Sequence, residues 1–151
     1  MLLALAACGQ AGAQPSATSG LTAPAGWIAI PEIATAAATA AKSDGVTIDG
    51  AEAWGDPARG CYSVWLALHG EGASAEQVLA GLATESITTT NVVRPDTGDG
   101  VVVMSFMRGA YRGRLRARIA AGTITALACF ANDREPLACE GACTTLLGGL
   151  P

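Results

Sequence analysis

Residues 111–120 read YRGRLRARIA, and this stretch decides the fold class. Every second position is an arginine: Arg112, Arg114, Arg116 and Arg118. The positions between them are mostly apolar: Tyr111, Leu115, Ala117 and Ile119. Successive side chains of a β-strand point to opposite faces of the sheet. The period of two therefore predicts a strand with one cationic face and one apolar face.

The segments on either side of this strand are also predicted strands. Val101–Met107 is the most apolar segment, and we expect it to be central in the sheet. Thr123–Phe130 is rich in β-branched and apolar residues. Short segments that contain Gly109-Ala110 and Ala121-Gly122 separate the three strands, and such short turns join antiparallel neighbours.

An earlier pair of strands forms a predicted hairpin. Val46–Trp54 and Cys61–His69 flank a turn-rich segment, residues 55–60, that contains glycine, aspartate and proline. Ile87–Val93 is β-branched and predicts one further strand. Residues 26–31 predict a short extended piece whose Trp27 docks on the domain.

Three helices complete the predicted elements. Pro31 suits a first helical turn, and the helix over Glu32–Lys42 ends at Ser43-Asp44-Gly45. Ser74 caps a second helix that runs to about Thr84. Pro136 opens a third helix, which runs to about Leu147. We predict an α+β fold: an antiparallel sheet of about six strands with helices packed on it.

This order of elements, with its opening Gly26-Trp27 and its closing helix, is similar to the PsbP-like fold. That fold occurs in small thylakoid proteins and in bacterial lipoproteins such as DcrB. The resemblance covers residues 26–150, includes no residue motif and implies no functional residues.

Residues 5–9 read LAACG and resemble the lipobox of bacterial lipoproteins. The resemblance implies that residues 1–7 are a signal peptide and that Cys8 becomes the lipidated first residue of the mature protein. The apolar run is too short to span a bilayer. Because no Lys or Arg precedes Cys8, we expect the signal peptide to begin upstream of Met1. The alternative is a cytosolic start with a chance cysteine.

The lipobox and the composition predict where the protein acts. Residues 8–25 are small and polar and predict a flexible tether, followed by one domain over residues 26–151. Gly9, directly after Cys8, favours sorting to the outer membrane rather than the inner one. The formal net charge of −4 argues against nucleic acid as a partner. We expect a lipid-anchored protein of the bacterial cell envelope.

Four cysteines remain once Cys8 is assigned to the lipid: Cys61, Cys129, Cys139 and Cys143. An even number in an exported protein predicts two disulfides. If the closing helix folds back along the last strand, Cys129 and Cys139 lie at similar distances from the connection between the two elements. This favours a Cys129–Cys139 disulfide, which leaves Cys61 to pair with Cys143. Cys129–Cys143 differs by one helical turn and stays open. A metal site at Cys129, Cys139 and Cys143 is the functional alternative, but His69 is the chain's single histidine.

The arginine row is the clearest candidate binding surface. Four guanidinium groups on one strand face suit an anionic ligand, such as lipid headgroups, a phosphorylated glycan or an acidic partner. The alternative is a solvated face that acids on neighbouring strands neutralise. We interpret His69 as structural and Trp27, Trp54 and Trp65 as packing residues, with a ligand groove as the alternative for the tryptophans.

No catalytic, metal or cofactor motif occurs in the sequence. We therefore predict a non-catalytic binding module that contacts an envelope protein or an anionic envelope component. The alternative is an envelope enzyme, or an accessory subunit, that holds an anionic substrate through Arg112–Arg118.

The anchor has a direct test in the intact mass of protein extracted from membranes. We expect a chain that begins at Cys8 and carries a diacylglycerol and an acyl chain such as palmitate. Reduction should add four hydrogens if both disulfides are present. A chain that still begins at Met1, without lipid, would contradict the lipobox assignment.

Overall fold

The structure is a computed structural model that describes residues 17–42, 45–70, 100–120, 122–132 and 136–150. The described strands are β1 (Ile28–Ala29), β2 (Val46–Asp56), β3 (Cys61–Gly70), β4 (Gly100–Arg108), β5 (Tyr111–Ala120) and β6 (Thr123–Asn132). The described helices are α1 (Pro31–Ala41) and α2 (Glu140–Gly148), and a 3-10 helix over Pro136–Cys139 leads into α2. The predicted helix Ser74–Thr84 and strand Ile87–Val93 lie outside the described residues, as does Cys8.

The six strands form one open antiparallel sheet in the order β1-β2-β3-β6-β5-β4. This confirms the predicted antiparallel sheet with helices. The sequence predicts a central position for Val101–Met107, whereas among the described strands β4 is the last of the order. Its apolar residues are not all buried: Val102 is buried, whereas Val103 and Met107 are 39% and 47% exposed. Continuous hydrophobicity here does not mean burial on both faces.

The amino-terminal elements attach to the β2 edge of the sheet. β1 pairs with β2, and the backbone N–H of Ile30 donates to the carbonyl of Ala53 at 2.9 Å. Pro31 occupies the first turn of α1 as predicted, where a missing N–H costs nothing. Helix α1 then contacts β2 and β3.

Residues 17–25, assigned to the predicted tether, also contact the domain. Ser19 hydrogen-bonds to Glu52 on β2 through both its backbone N–H and its hydroxyl. Leu21 packs against the core cluster that contains Trp65 and Leu146. Leu21, an apolar residue in an otherwise polar segment, is thus packed against apolar side chains of the domain.

The strand register sorts the side chains into two faces. Cys129 lies opposite Ser63 on β3 and opposite Arg114 on β5. Directly opposed residues of antiparallel strands share a face. We call this side the cystine face: it carries Cys61, Ser63, Trp65, Leu127, Cys129 and the four arginines of β5.

The other face has its own core in the β4–β5–β6 part of the sheet. Val102, Ala117, Ile119 and Ile124 are buried there and pack together. Gly113 interrupts the apolar set of β5 because the ring of Phe106, on β4, lies over it. A Cβ at position 113 would overlap that ring.

Two disulfides attach the carboxy-terminal helix to the cystine face. They join Cys61 to Cys139 and Cys129 to Cys143, with Cα–Cα distances of 5.7 and 5.6 Å. The prediction of two disulfides from these four cysteines is confirmed. The favoured pairing, Cys129–Cys139 with Cys61–Cys143, is wrong.

The pairing differs from the prediction because β6 and the carboxy-terminal helix begin or end at other residues than predicted. Strand β6 continues past Phe130 to Asn132, so Cys129 lies three residues, or about 10 Å, from its end. The 3-10 helix holds Cys139 at the start of α2. Cys139 therefore meets Cys61, which lies opposite Ala131 near the end of β6. Cys143, one helical turn later, reaches Cys129 farther along the strand.

Disulfide removal should destabilise the domain unequally. The Cys61–Cys139 bridge spans 78 residues and Cys129–Cys143 spans 14. Loop-closure entropy predicts losses of about 4.5 and about 3 kcal/mol when each pair is replaced by alanine. Urea unfolding of Cys61→Ala/Cys139→Ala and Cys129→Ala/Cys143→Ala measures both values. Equal losses, or the reverse order, would contradict this account.

Candidate functional site

A groove of about 310 Å³ opens on the cystine face between β4 and α2. All three strands of this half of the sheet contribute, together with the amino-terminal end of α2. The lining residues include Ser105, Met107, Arg112, Arg114, Cys129, Ala131, Cys139, Glu140 and Cys143. The groove thus combines two guanidinium groups with an apolar wall that includes the Cys129–Cys143 bridge.

The arginine row forms as predicted, with all four side chains on one face of β5. The register places no charged residue directly opposite any of them. Their partners on β4 are Val101, Val103, Ser105 and Met107. Their partners on β6 are Thr125, Leu127, Cys129 and Ala131. The alternative in which acids on neighbouring strands neutralise the row is therefore wrong for the described strands.

Two arginines of the row contact the carboxy-terminal helix instead. The Arg114 Nη2 atom lies 2.9 Å from Glu140 Oε1 and donates to Thr144 Oγ1 at 3.0 Å. Arg116 Nη1 donates to the carbonyl of Leu147 at 3.5 Å, near the end of α2. The negative end of the helix dipole stabilises a cation at this carboxy-terminal end of α2. These two residues position the helix.

Arg112 and Arg118 differ from that pair. Both are exposed, and neither has an acidic partner within the described part of the chain. Arg112 lines the groove, whereas Arg118 lies beyond it, opposite Val101. Within the described ranges the row therefore contains two arginines without an acidic partner, and one of them, Arg112, lines the groove.

The described acids near the cystine face, Glu52, Asp56 and Glu140, have partners. Glu52 accepts hydrogen bonds from Ser19, and Asp56 lies 3.5 Å from Arg59. Glu140 is paired with Arg114. In the part of the chain that the structure describes, this surface of an acidic protein thus exposes positive charge without an acidic partner.

His69 lies at the far end of the strands from the groove. Its Nδ1 atom is 2.8 Å from both carboxylate oxygens of Asp49, and the pair is exposed to solvent. The sequence did not reveal this partner, because Asp49 sits at a register shift between Ile48 and Gly50. Within the described ranges no hydroxyl group hydrogen-bonds to His69, so no nucleophile–base pair forms.

The three tryptophans pack together on the cystine face, as predicted. Trp65 is buried in a cluster with Leu127, Leu146 and Leu150, and Trp27 and Trp54 pack against it. Trp27 also contacts the cysteine cluster, which confirms that it docks on the domain. None of the three lines the groove.

Across the described residues, no group of three or more His, Cys, Asp or Glu side chains could hold a metal ion. Cys129, Cys139 and Cys143, considered for such a site, are all disulfide-bonded. The described helices include none with the length and apolarity of a membrane span. No protein-family model matches the chain, and no curated protein matches it.

The free energy of unfolding should distinguish Arg114, which contacts α2, from Arg118, which does not. Arg114→Gln removes a charged contact to α2, so we expect a loss of about 0.5–1 kcal/mol in the free energy of unfolding. Arg118→Gln has no such contact, and its effect should stay within about 0.5 kcal/mol. Urea unfolding of the two variants checks this difference, and equal values would contradict the positioning role of Arg114.

Proposed function

We propose that this chain is a lipid-anchored protein of the bacterial cell envelope, and that its domain is a non-catalytic binding module. The lipobox at Leu5–Cys8 supports the anchor, with Cys8 as the lipidated residue and Gly9 favouring the outer membrane. Two disulfides support an oxidising compartment, because such bonds rarely persist in the cytosol. The partner is an envelope protein or an anionic envelope component.

The observation that carries the binding function is a pair of exposed arginines on the cystine face that have no acidic partner among the described residues. Arg112 and Arg118 belong to a protein whose formal net charge is −4. Unpaired positive charge on an acidic protein is not explained by overall composition. It suits an anionic surface, which guanidinium groups bind through charge-assisted hydrogen bonds.

The alternative is an envelope enzyme or accessory subunit that acts on an anionic substrate through Arg112–Arg118. The groove beside the row has one carboxylate, Glu140, and one hydroxyl residue, Ser105. Glu140 is occupied by Arg114, and no base is bonded to Ser105 in the described structure. These observations favour binding over catalysis.

We also propose that the domain has the PsbP-like fold. The support is the order of its elements: an opening extended segment at Trp27, a helix, an antiparallel sheet and a closing helix. This proposal concerns the fold alone and assigns no function.

Charge reversal on the row tests the binding function. We expect Arg112→Glu/Arg118→Glu to lower saturable, salt-sensitive binding of the purified protein to envelope membranes by at least tenfold, because attraction becomes repulsion. Lys42→Glu/Arg59→Glu is the matched control, since it changes the net charge equally at other sites.

Equal binding by both double variants would contradict a role for the row. A defined turnover of an anionic substrate, lost only in the row variant, would favour the enzyme instead. Arg114 and Arg116 are left unchanged because both contact α2.

A further inference from the structure

We propose that the groove between β4 and α2 binds an anionic amphiphile, a molecule with a phosphate or carboxylate group on an alkyl chain. Arg112 contacts the anionic group, and the apolar wall of the groove contacts the start of the chain. This inference rests on the proposed function and names the ligand class for the same surface.

The charge at the groove is positive and available. Arg112, Arg114 and Glu140 are the charged residues among its lining side chains. Glu140 is paired with Arg114, so among the described residues the positive charge of Arg112 has no acidic partner. Arg114 uses one nitrogen for both Glu140 and Thr144, and its guanidinium has further N–H donors. A phosphate or carboxylate has acceptor oxygens for both guanidinium groups.

The rest of the lining selects an apolar group beside that anion. Met107 is 47% exposed, and it lies directly opposite Arg112 on β5. Ala131 and the Cys129–Cys143 bridge lie across the groove from it. A fully hydrated anion, such as free phosphate, would leave this apolar surface in water, whereas an alkyl chain would cover it.

The size of the groove limits how much of a ligand it holds. Its volume of about 310 Å³ is at the lower end of the range for small-molecule sites. The site therefore accommodates an anionic group and the first part of a chain, with the remainder outside.

Calorimetric titration with dodecyl phosphate, below its micellar concentration, tests this proposal. The protein is the full chain with Cys8→Ser, which removes any lipid, and with both disulfides formed. We expect one saturable site. Arg112→Gln should weaken it about ten- to hundredfold, through the loss of a charge-assisted hydrogen bond. Lys42→Gln, which removes one positive charge at an exposed position outside the row and the groove, should change the affinity less than twofold.

Three further ligands separate the contributions. Dodecanoate should bind if any anionic group suffices, and its failure would restrict the class to phosphates. Inorganic phosphate should bind at least tenfold more weakly than dodecyl phosphate, because it lacks the chain. Dodecyl maltoside, which has the same alkyl chain and a neutral head group, should also bind at least tenfold more weakly than dodecyl phosphate.

Met107→Ser tests the apolar wall independently of the charge. It should weaken dodecyl phosphate but leave the binding of inorganic phosphate unchanged. Equal affinity for dodecyl phosphate and dodecyl maltoside, or equal effects of Arg112→Gln and Lys42→Gln, would overturn the proposal. If dodecyl phosphate does not bind while envelope binding still depends on the row, the ligand class fails and the binding function stands.

Discussion

The structure depends on two covalent links between one short helix and the middle of the sheet. Cys139 and Cys143 are four residues apart, so they stand about 6 Å apart along the helix. Cys61 and Cys129 lie on paired strands with a two-residue offset, about 7 Å along the strands. The similar spacings let both bridges form together. Helix α2 has few buried residues of its own, so these bridges compensate for a small apolar contact.

The position of α2 in turn determines what the arginine row does. Because the helix covers β3 and β6, it reaches only part of β5, and Arg114 and Arg116 meet its side. Arg112 and Arg118 remain exposed to solvent. One strand with a simple alternating sequence therefore contains two structural cations and two available ones. The groove exists because β4 extends the sheet beyond the area that the helix covers.

Local sequence patterns predicted the secondary-structure elements, but they did not predict the contacts between residues far apart in the sequence. The period-two sequence of β5 and the apolar alternation of β3 identified their strands and faces. Cysteine number predicted two disulfides, but their pairing depended on two extra residues of β6 and on one turn of 3-10 helix, which the sequence does not mark. The same limit applies to Glu140, which pairs with Arg114 across 26 positions. Asp49 beside His69 depended on a register shift in β2.

The Cys129–Cys143 bridge is also part of the groove surface, so the oxidation state and the shape of this surface are thermodynamically linked. A ligand that prefers the oxidised groove must, by reciprocity, make that bridge harder to reduce. A chain still in a reducing compartment lacks the bond that fixes this wall. Formation of the Cys129–Cys143 bond thus completes the surface that the groove presents to a ligand.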